Sequence, residues 1–386
     1  MRPAKRLQNL PPYPFAELGQ RITELKAKGK DVIRLDIGNP DLPPPSFIIE
    51  ALHKSAQASE HHGYPGYYGT PELRQAITDY YAHRFAVELD PDEEVLVLIG
   101  SKEGLSHMSL AFLDPGDLAL IPDPGYPTYH LSTLLAGGEV FYMPLLAENS
   151  FFPDFSAIPA EIAARARLMW LNYPNNPTGA TAELEMLTEA VEFARAHDIL
   201  FCHDNPYCDL TYDGYVAPSI LQIPGAKEVA VEFNSLSKTY SIAGWRVGMA
   251  VGNAEAIAAL ALVKSNVDTG VFRPIQDAAA IALRGDQSWI PERNAIYQKR
   301  RDIILETLTE LGLEAERPKA TLYVWTRTPA GYTSQDFATR LLEEKGVSVA
   351  PGIYYGPHGE GYLRISLTAP TERLREAMGR LREFGF

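Results

Sequence analysis

Short apolar runs punctuate the first two thirds of the chain, at 95–100, 118–122, 140–144, 168–172, 199–203, 229–233 and 247–251. Near-continuous apolar character of that length reads as strands buried on both faces. Helical spacing fills several of the gaps, at 182–197 and 254–264 for example. Strand and helix in alternation predict an α/β unit around a mostly parallel sheet, in which ligands bind beyond the carboxyl ends of the strands. After Tyr64 a helix has a clear start, with Thr70 as N-cap and Pro71 at the first position. Leu73, Ile77, Tyr80 and Tyr81 then form one apolar stripe, which reads as core packing. From 292 to 311 a long helical stretch leads into a second region, with strands at 321–325, 347–350 and 363–367 and helices at 334–345 and 372–383. This second region predicts a smaller α+β domain. No internal repeat or low-complexity linker interrupts the pattern, and Pro43-Pro44-Pro45 reads as a stiff crossing segment.

At 386 residues the chain exceeds one ordinary core, so two domains are expected. Its 46% hydrophobic and 22% charged residues are those of a globular protein. A net charge of −14 argues against nucleic acid or an anionic membrane as partner. The two cysteines, Cys202 and Cys208, make no disulfide framework and fit a reducing compartment. With His203 and Asp204 they match no standard zinc spacing, so no metal is expected. The first ten residues carry charge but no apolar signal core, and no apolar run approaches the roughly 20 residues of a membrane helix. The expectation is a cytoplasmic enzyme.

The chemistry-bearing residues gather at the predicted strand ends. Ser101 and Lys102 follow the first strand, Asn176 the fourth, Asp204 ends the fifth and Ser235 follows the sixth. The segment Ser235-Leu236-Ser237-Lys238-Thr239-Tyr240-Ser241-Ile242-Ala243-Gly244-Trp245-Arg246 is the most specific of these. A lysine amine condenses with an aldehyde, while flanking hydroxyls and an arginine can hold a phosphate. Pyridoxal phosphate offers both groups.

Through this segment, and through matches from Tyr13 to Arg364, the chain resembles the class I/II aminotransferases, which are pyridoxal-phosphate enzymes of the aspartate aminotransferase fold. The resemblance implies the type I fold of these transferases. Its large domain, 46–285, would hold a mostly parallel seven-stranded sheet, and 1–45 with 286–386 would form the smaller α+β domain. It implies Lys238 as the Schiff-base lysine, Asp204 as the anion on the ring nitrogen, and Tyr207 and Asn176 as contacts of the 3′ oxygen. By analogy the Asn176-Pro177 peptide would be cis. Ser101, Lys102, Ser235, Ser237 and Arg246 would cradle the phosphate. Tyr64, with Tyr67 and Tyr68 as neighbouring alternatives, would reach it across a homodimer interface. Tyr126 would stack on the ring. Arg364 would bind the substrate α-carboxylate, with Asn176 beside it, and the segment at Gly38 would close over it. An arginine among apolar strand residues needs a partner when buried, and without the family a structural carboxylate would be the first choice.

The implied reaction is ping-pong transfer of an amino group between an amino acid and a 2-oxo acid, with 2-oxoglutarate and glutamate as one pair. Tyr13-Pro14-Phe15, Gly100-Ser101-Lys102-Glu103-Gly104 and Gly359-Glu360-Gly361-Tyr362-Leu363-Arg364 are most similar to LL-diaminopimelate aminotransferases, where a tyrosine matching Tyr13 helps bind substrate. Thr269 stands where that subgroup has an asparagine, and Arg273 is a candidate reader of a second carboxylate. An aspartate- or alanine-type aminotransferase is the alternative within the family, and β-elimination by the same cofactor is the alternative outside it. Ser235 to Lys238 also fits the Ser-x-x-Lys of serine β-lactamases, but the Ser-Asp-Asn and Lys-Thr-Gly elements are absent.

Overall fold

A computed structural model describes residues 3–8 and 10–386, apart from the side chain of Lys5, so the reading of the first ten residues lies partly outside the described residues. β1 (Ile33–Arg34) belongs to the smaller sheets below. β2 (Val95–Leu98), β3 (Leu118–Asp123), β4 (Glu139–Pro144), β5 (Ala166–Asn172), β6 (Leu200–Asp204), β7 (Ala230–Ser235) and β8 (Gly248–Gly252) form one seven-stranded sheet in the order β2-β8-β7-β6-β5-β3-β4. Each lies within two residues of its predicted run. β8 is antiparallel to both neighbours, and every other pairing is parallel.

The runs read as continuously apolar because alternate side chains enter two different cores. Along β5, Met169 and Leu171 join one cluster while Leu168 and Trp170 join the other. Cys202 and Cys208, both free and buried, are likewise divided between these clusters. Helix Pro71–Phe85 starts as predicted, with Thr70 Oγ1 accepting from the Leu73 amide at 3.2 Å. Leu73, Ile77 and Tyr81 of its stripe are fully buried, and half-buried Tyr80 donates to Asp209 at 2.8 Å.

The C-terminal part adds β9 (Tyr323–Arg327), β10 (Val347–Ser348), β11 (Ala350–Pro351) and β12 (Tyr362–Ser366). β11, β12 and β9 make an antiparallel sheet, and β10 pairs in parallel with β1. The predicted single strand at 347–350 is therefore two strands. At Val349 the chain passes from one sheet to the other, and the run Val347-Ser348-Val349-Ala350 carries no mark of that change of partner. Ile33 and Leu35 share a core with Leu322, Val324, Leu363, Ile365 and Leu374. Among the described residues no helix is long and apolar enough to cross a membrane.

Candidate active site

The carboxyl ends of the parallel strands open into a cavity of about 410 Å³. Tyr13, Gly38, Ser101, Lys102, Tyr126, Asn176, Asp204, Tyr207, Ser235, Ser237, Lys238, Arg246 and Arg364 all line it, whereas Tyr64 with its alternatives Tyr67 and Tyr68, and Arg273, do not. Its floor comes from the seven-stranded sheet. Asp204 ends β6, and Asn172, its register partner on β5, donates to the Asp204 carbonyl at 2.6 Å and accepts from the Asn176 amide at 2.7 Å. The Asn176-Pro177 peptide is cis, as the analogy implied. Asp204 is buried, and its Oδ2 accepts from the Tyr129 hydroxyl at 2.7 Å. Its Oδ1 is buried with no partner among the described residues. Burial raises the Asp204 carboxyl from 3.8 to about 6, against the Tyr129 hydrogen bond and the nearby His203 and Lys238 charges.

Lys238 lies in the short helix Leu236–Thr239, entered from β7 through Ser235, whose side chain caps the Ser237 amide at 3.2 Å. The ammonium donates to the Gly38 carbonyl. Burial, reinforced by the positive charges of Arg364 and Arg246, holds the amine below its ordinary value against the pull of Tyr323 and Asp204. A lowered amine is a readier nucleophile and proton carrier. Arg246 approaches Gly100 so closely that a Cβ there would lie 2.2 Å from Nη2. Gly100, at φ 72°, thus both turns the chain into helix Ser101–Phe112 and admits the guanidinium. The N-terminus of that helix, Arg246, Lys102, Ser235 and Ser237 together offer an anion a set of donors. Burial and the neighbouring Arg246 lower the Lys102 amine, which sits 4.6 Å from the centre of the Tyr13 ring.

The facing wall comes from elsewhere in the chain. Arg364, on β12, is buried and has no carboxylate partner among the described residues; it donates to Asn176 Oδ1 at 2.7 Å and to the Asp36 carbonyl. Its Nε is buried without a partner. The structural carboxylate that its sequence setting suggested is not there, because Asp36 turns its side chain to Arg34 at 2.6 Å. Tyr207 and Tyr126 both line the cavity, with burial raising each phenol above its ordinary value.

Tyr129, Asn172, Phe15, Tyr323 and Tyr355 complete the surroundings and were not singled out from the sequence. Tyr323 bonds the Tyr207 hydroxyl at 3.0 Å, and the others act through contacts across strands or loops. Only the alternation of Tyr323 with Trp325 along a short strand could have drawn attention to one of them. Arg273 lies outside the cavity and is paired with Asp277 at 2.7 Å and with Glu72 at 3.6 Å. It is therefore not a substrate reader within this chain's own pocket. Thr269 is also outside that pocket. Tyr64 is 92% exposed, on a loop whose Gly66 carbonyl packs against Gly270.

A carboxylate with one oxygen left unbonded, a depressed lysine amine, a cluster of donors and a guanidinium with no carboxylate beside it among the described residues fit a phosphorylated pyridine aldehyde and an amino acid carboxylate. Comparisons with known proteins agree. Residues 30–381 match the family model described as aminotransferase class I and II. The chain is 53% identical to an LL-diaminopimelate aminotransferase of Moorella thermoacetica, over 99% of this chain and 98% of that protein. It is 52% identical to another from Dehalococcoides mccartyi, over 100% and 99%. Among solved structures, apo-BacF from Bacillus subtilis superposes with a TM-score of 0.97 at 38% identity, covering 100% of this chain and 99% of that one.

Proposed function

Because the chain belongs to the class I and II aminotransferases, and so to the pyridoxal-phosphate-dependent transaminases, we propose that its amino donor is LL-diaminopimelate and its acceptor 2-oxoglutarate. The observation that carries this substrate is the 53% identity, along almost the whole of both chains, to a protein of that activity. When bound, the cofactor supplies an aldehyde for exchange of amines and a ring that accepts electrons.

In this reading Lys238 anchors the cofactor and, once released, carries the proton to and from the substrate α-carbon. Asp204 Oδ1 takes the pyridine N–H, and Tyr129 keeps the other oxygen in place. Tyr207 and Asn176 hold the 3′ oxygen, and Tyr126 faces the ring. Ser101, Lys102, Ser235, Ser237 and Arg246 hold the phosphate. Arg364, Asn176 and the Gly38 segment take the substrate α-carboxylate, and Tyr13, at the rim, meets the rest of the substrate. The unsatisfied Asp204 Oδ1 and Arg364 Nε are the atoms that such ligands would satisfy.

The working form in this reading is a cytoplasmic homodimer, with Tyr64 of the partner subunit completing each phosphate site. Support comes from the exposed apolar set Tyr64, Tyr67, Tyr68, Val267 and Phe272 on neighbouring segments. Tyr64→Ala and Lys238→Ala chains, each inactive alone, are expected to regain activity when mixed and re-dimerised. Absence of complementation would return Tyr64 to its own chain.

An aspartate- or alanine-type activity is the second reading, favoured by Thr269 in place of the asparagine. An amino-donor screen with 2-oxoglutarate, following glutamate, separates the two. LL-diaminopimelate is expected to exceed aspartate and alanine by at least about 100-fold in kcat/KM. Parity or reversal would favour the second reading. Pyruvate and ammonia released without an acceptor would mark elimination instead.

A further inference from the structure

Tyr323 stands where three separate parts of the pocket meet. Its ring lies 4.0 Å from Cζ of Arg364, closer than Tyr355 at 5.0 Å or Phe15 at 5.8 Å. The register explains the stack. In the β9–β12 pair, Tyr323 is opposite Ser366 and Arg364 is opposite Trp325, so Tyr323 and Arg364 are diagonal neighbours on one face of the sheet. Its hydroxyl is bonded to that of Tyr207 at 3.0 Å. The same hydroxyl sits where a side chain at position 38 would begin, since a Cβ on Gly38 would lie 1.8 Å from it. Burial would raise this phenol, yet the facing Arg364 and Lys238 charges bring it below its ordinary value.

We propose that Tyr323 is a positioning residue for carboxylate recognition: its ring fixes the plane of the Arg364 guanidinium so that the open edge of the fork faces the substrate. The proposal rests on the reading above that Arg364 binds the α-carboxylate. A guanidinium is recognised in two ways, through its faces by aromatic rings and through its edge by carboxylates. Tyr323 occupies a face, while Asn176 and the Asp36 carbonyl take two in-plane nitrogens. Nε, buried and unpartnered, remains in the plane. Without the ring, the same arginine keeps its charge but loses the surface that holds its orientation. The hydroxyl serves a different end, contact with Tyr207, so ring and hydroxyl are separable by mutation.

The test uses the holoenzyme and glutarate, a carboxylate that cannot transfer an amino group. Tyr323→Leu is expected to weaken glutarate binding about tenfold and to raise the KM for glutamate similarly, with kcat changed less than about threefold. Tyr323→Phe keeps the ring and is expected to stay within about twofold of the parent in both. Arg364→Lys is the control, expected to weaken glutarate whatever Tyr323 does. If Tyr323→Leu binds glutarate like the parent while Arg364→Lys does not, the proposal is overturned. Equal losses in Tyr323→Phe and Tyr323→Leu would also overturn it, since the hydroxyl would then be responsible. Should Tyr323→Leu fail to fold, a tenfold loss in Tyr323→Phe is by itself enough to overturn it. If Arg364→Lys leaves glutarate unaffected, the carboxylate assignment falls first and this proposal with it.

Discussion

The buried cations of the scaffold and those of the pocket answer the same problem in opposite ways. Lys264 has no exposed side-chain surface and is paired with Glu103 at 3.1 Å and with Asp268. Glu103, His107 and Asp268 come close enough together to suggest a metal, but the Lys264 ammonium already pairs with both carboxylates. Arg293, on helix Trp289–Glu310, is equally buried and donates to the carbonyls of Lys238 (2.7 Å), Thr239 and Asp209 (2.6 Å). In the pocket, among the described residues, Lys238 has only the Gly38 carbonyl, and Arg364 keeps one nitrogen without a partner. A buried charge with a full set of partners is tied into the fold, because removing one partner strands the others. A buried charge left incomplete costs stability and is held there by the rest of the structure for a ligand to complete.

This contrast breaks most sharply at the lysines. Lys238→Ala is expected to lower the rate of transamination by at least about 10³-fold while leaving urea stability of the cofactor-free protein unchanged or higher. Lys264→Met should do the reverse, costing about 3–5 kcal/mol by stranding Glu103 and Asp268. A stable Lys264→Met protein with no activity would erase the distinction. The arginines give a smaller separation. Arg293→Met takes a donor from each of three carbonyls and should cost about 3 kcal/mol, whereas Arg364→Met should cost about 1 kcal/mol or less in the cofactor-free protein. Comparable losses in urea denaturation would mean that Arg364 is structural.

Asp204 sharpens the comparison through pH. Burial raises its carboxyl from 3.8 to about 6, so between those values the folded protein binds a proton that the unfolded chain has released. Its contribution to stability therefore falls as pH rises from about 4 to about 6 and is level above that, a change of at most about 3 kcal/mol. In the cofactor-free protein, Asp204→Asn should flatten this part of the pH–stability curve, and the difference between the two proteins isolates this one group. Parallel curves would show that Asp204 titrates at an ordinary value.

What could be read from the sequence was whatever depends on neighbours along the chain. Apolar runs gave all seven strands of the large sheet, because a strand buried on both faces must be apolar at nearly every position. The Thr70 and Pro71 helix start was legible for the same local reason, as was the gathering of Ser101, Asn176, Asp204 and Ser235 at strand ends. The family resemblance gave Lys238, Arg246 and Arg364, but local pattern alone left Arg364 as a candidate for an ordinary ion pair. Tertiary structure decided the rest. It divided the run at 347–350 between two sheets, since pairing partners lie far away in the chain. It put Tyr129 on one oxygen of Asp204 and left the other free. Through the β9–β12 register it also set Tyr323 against Arg364 and Gly38. Local sequence fixes which backbone hydrogen bonds and apolar faces a segment offers. Whether a buried charge finds all its partners depends on atoms contributed by segments hundreds of residues apart, and only folding brings those together.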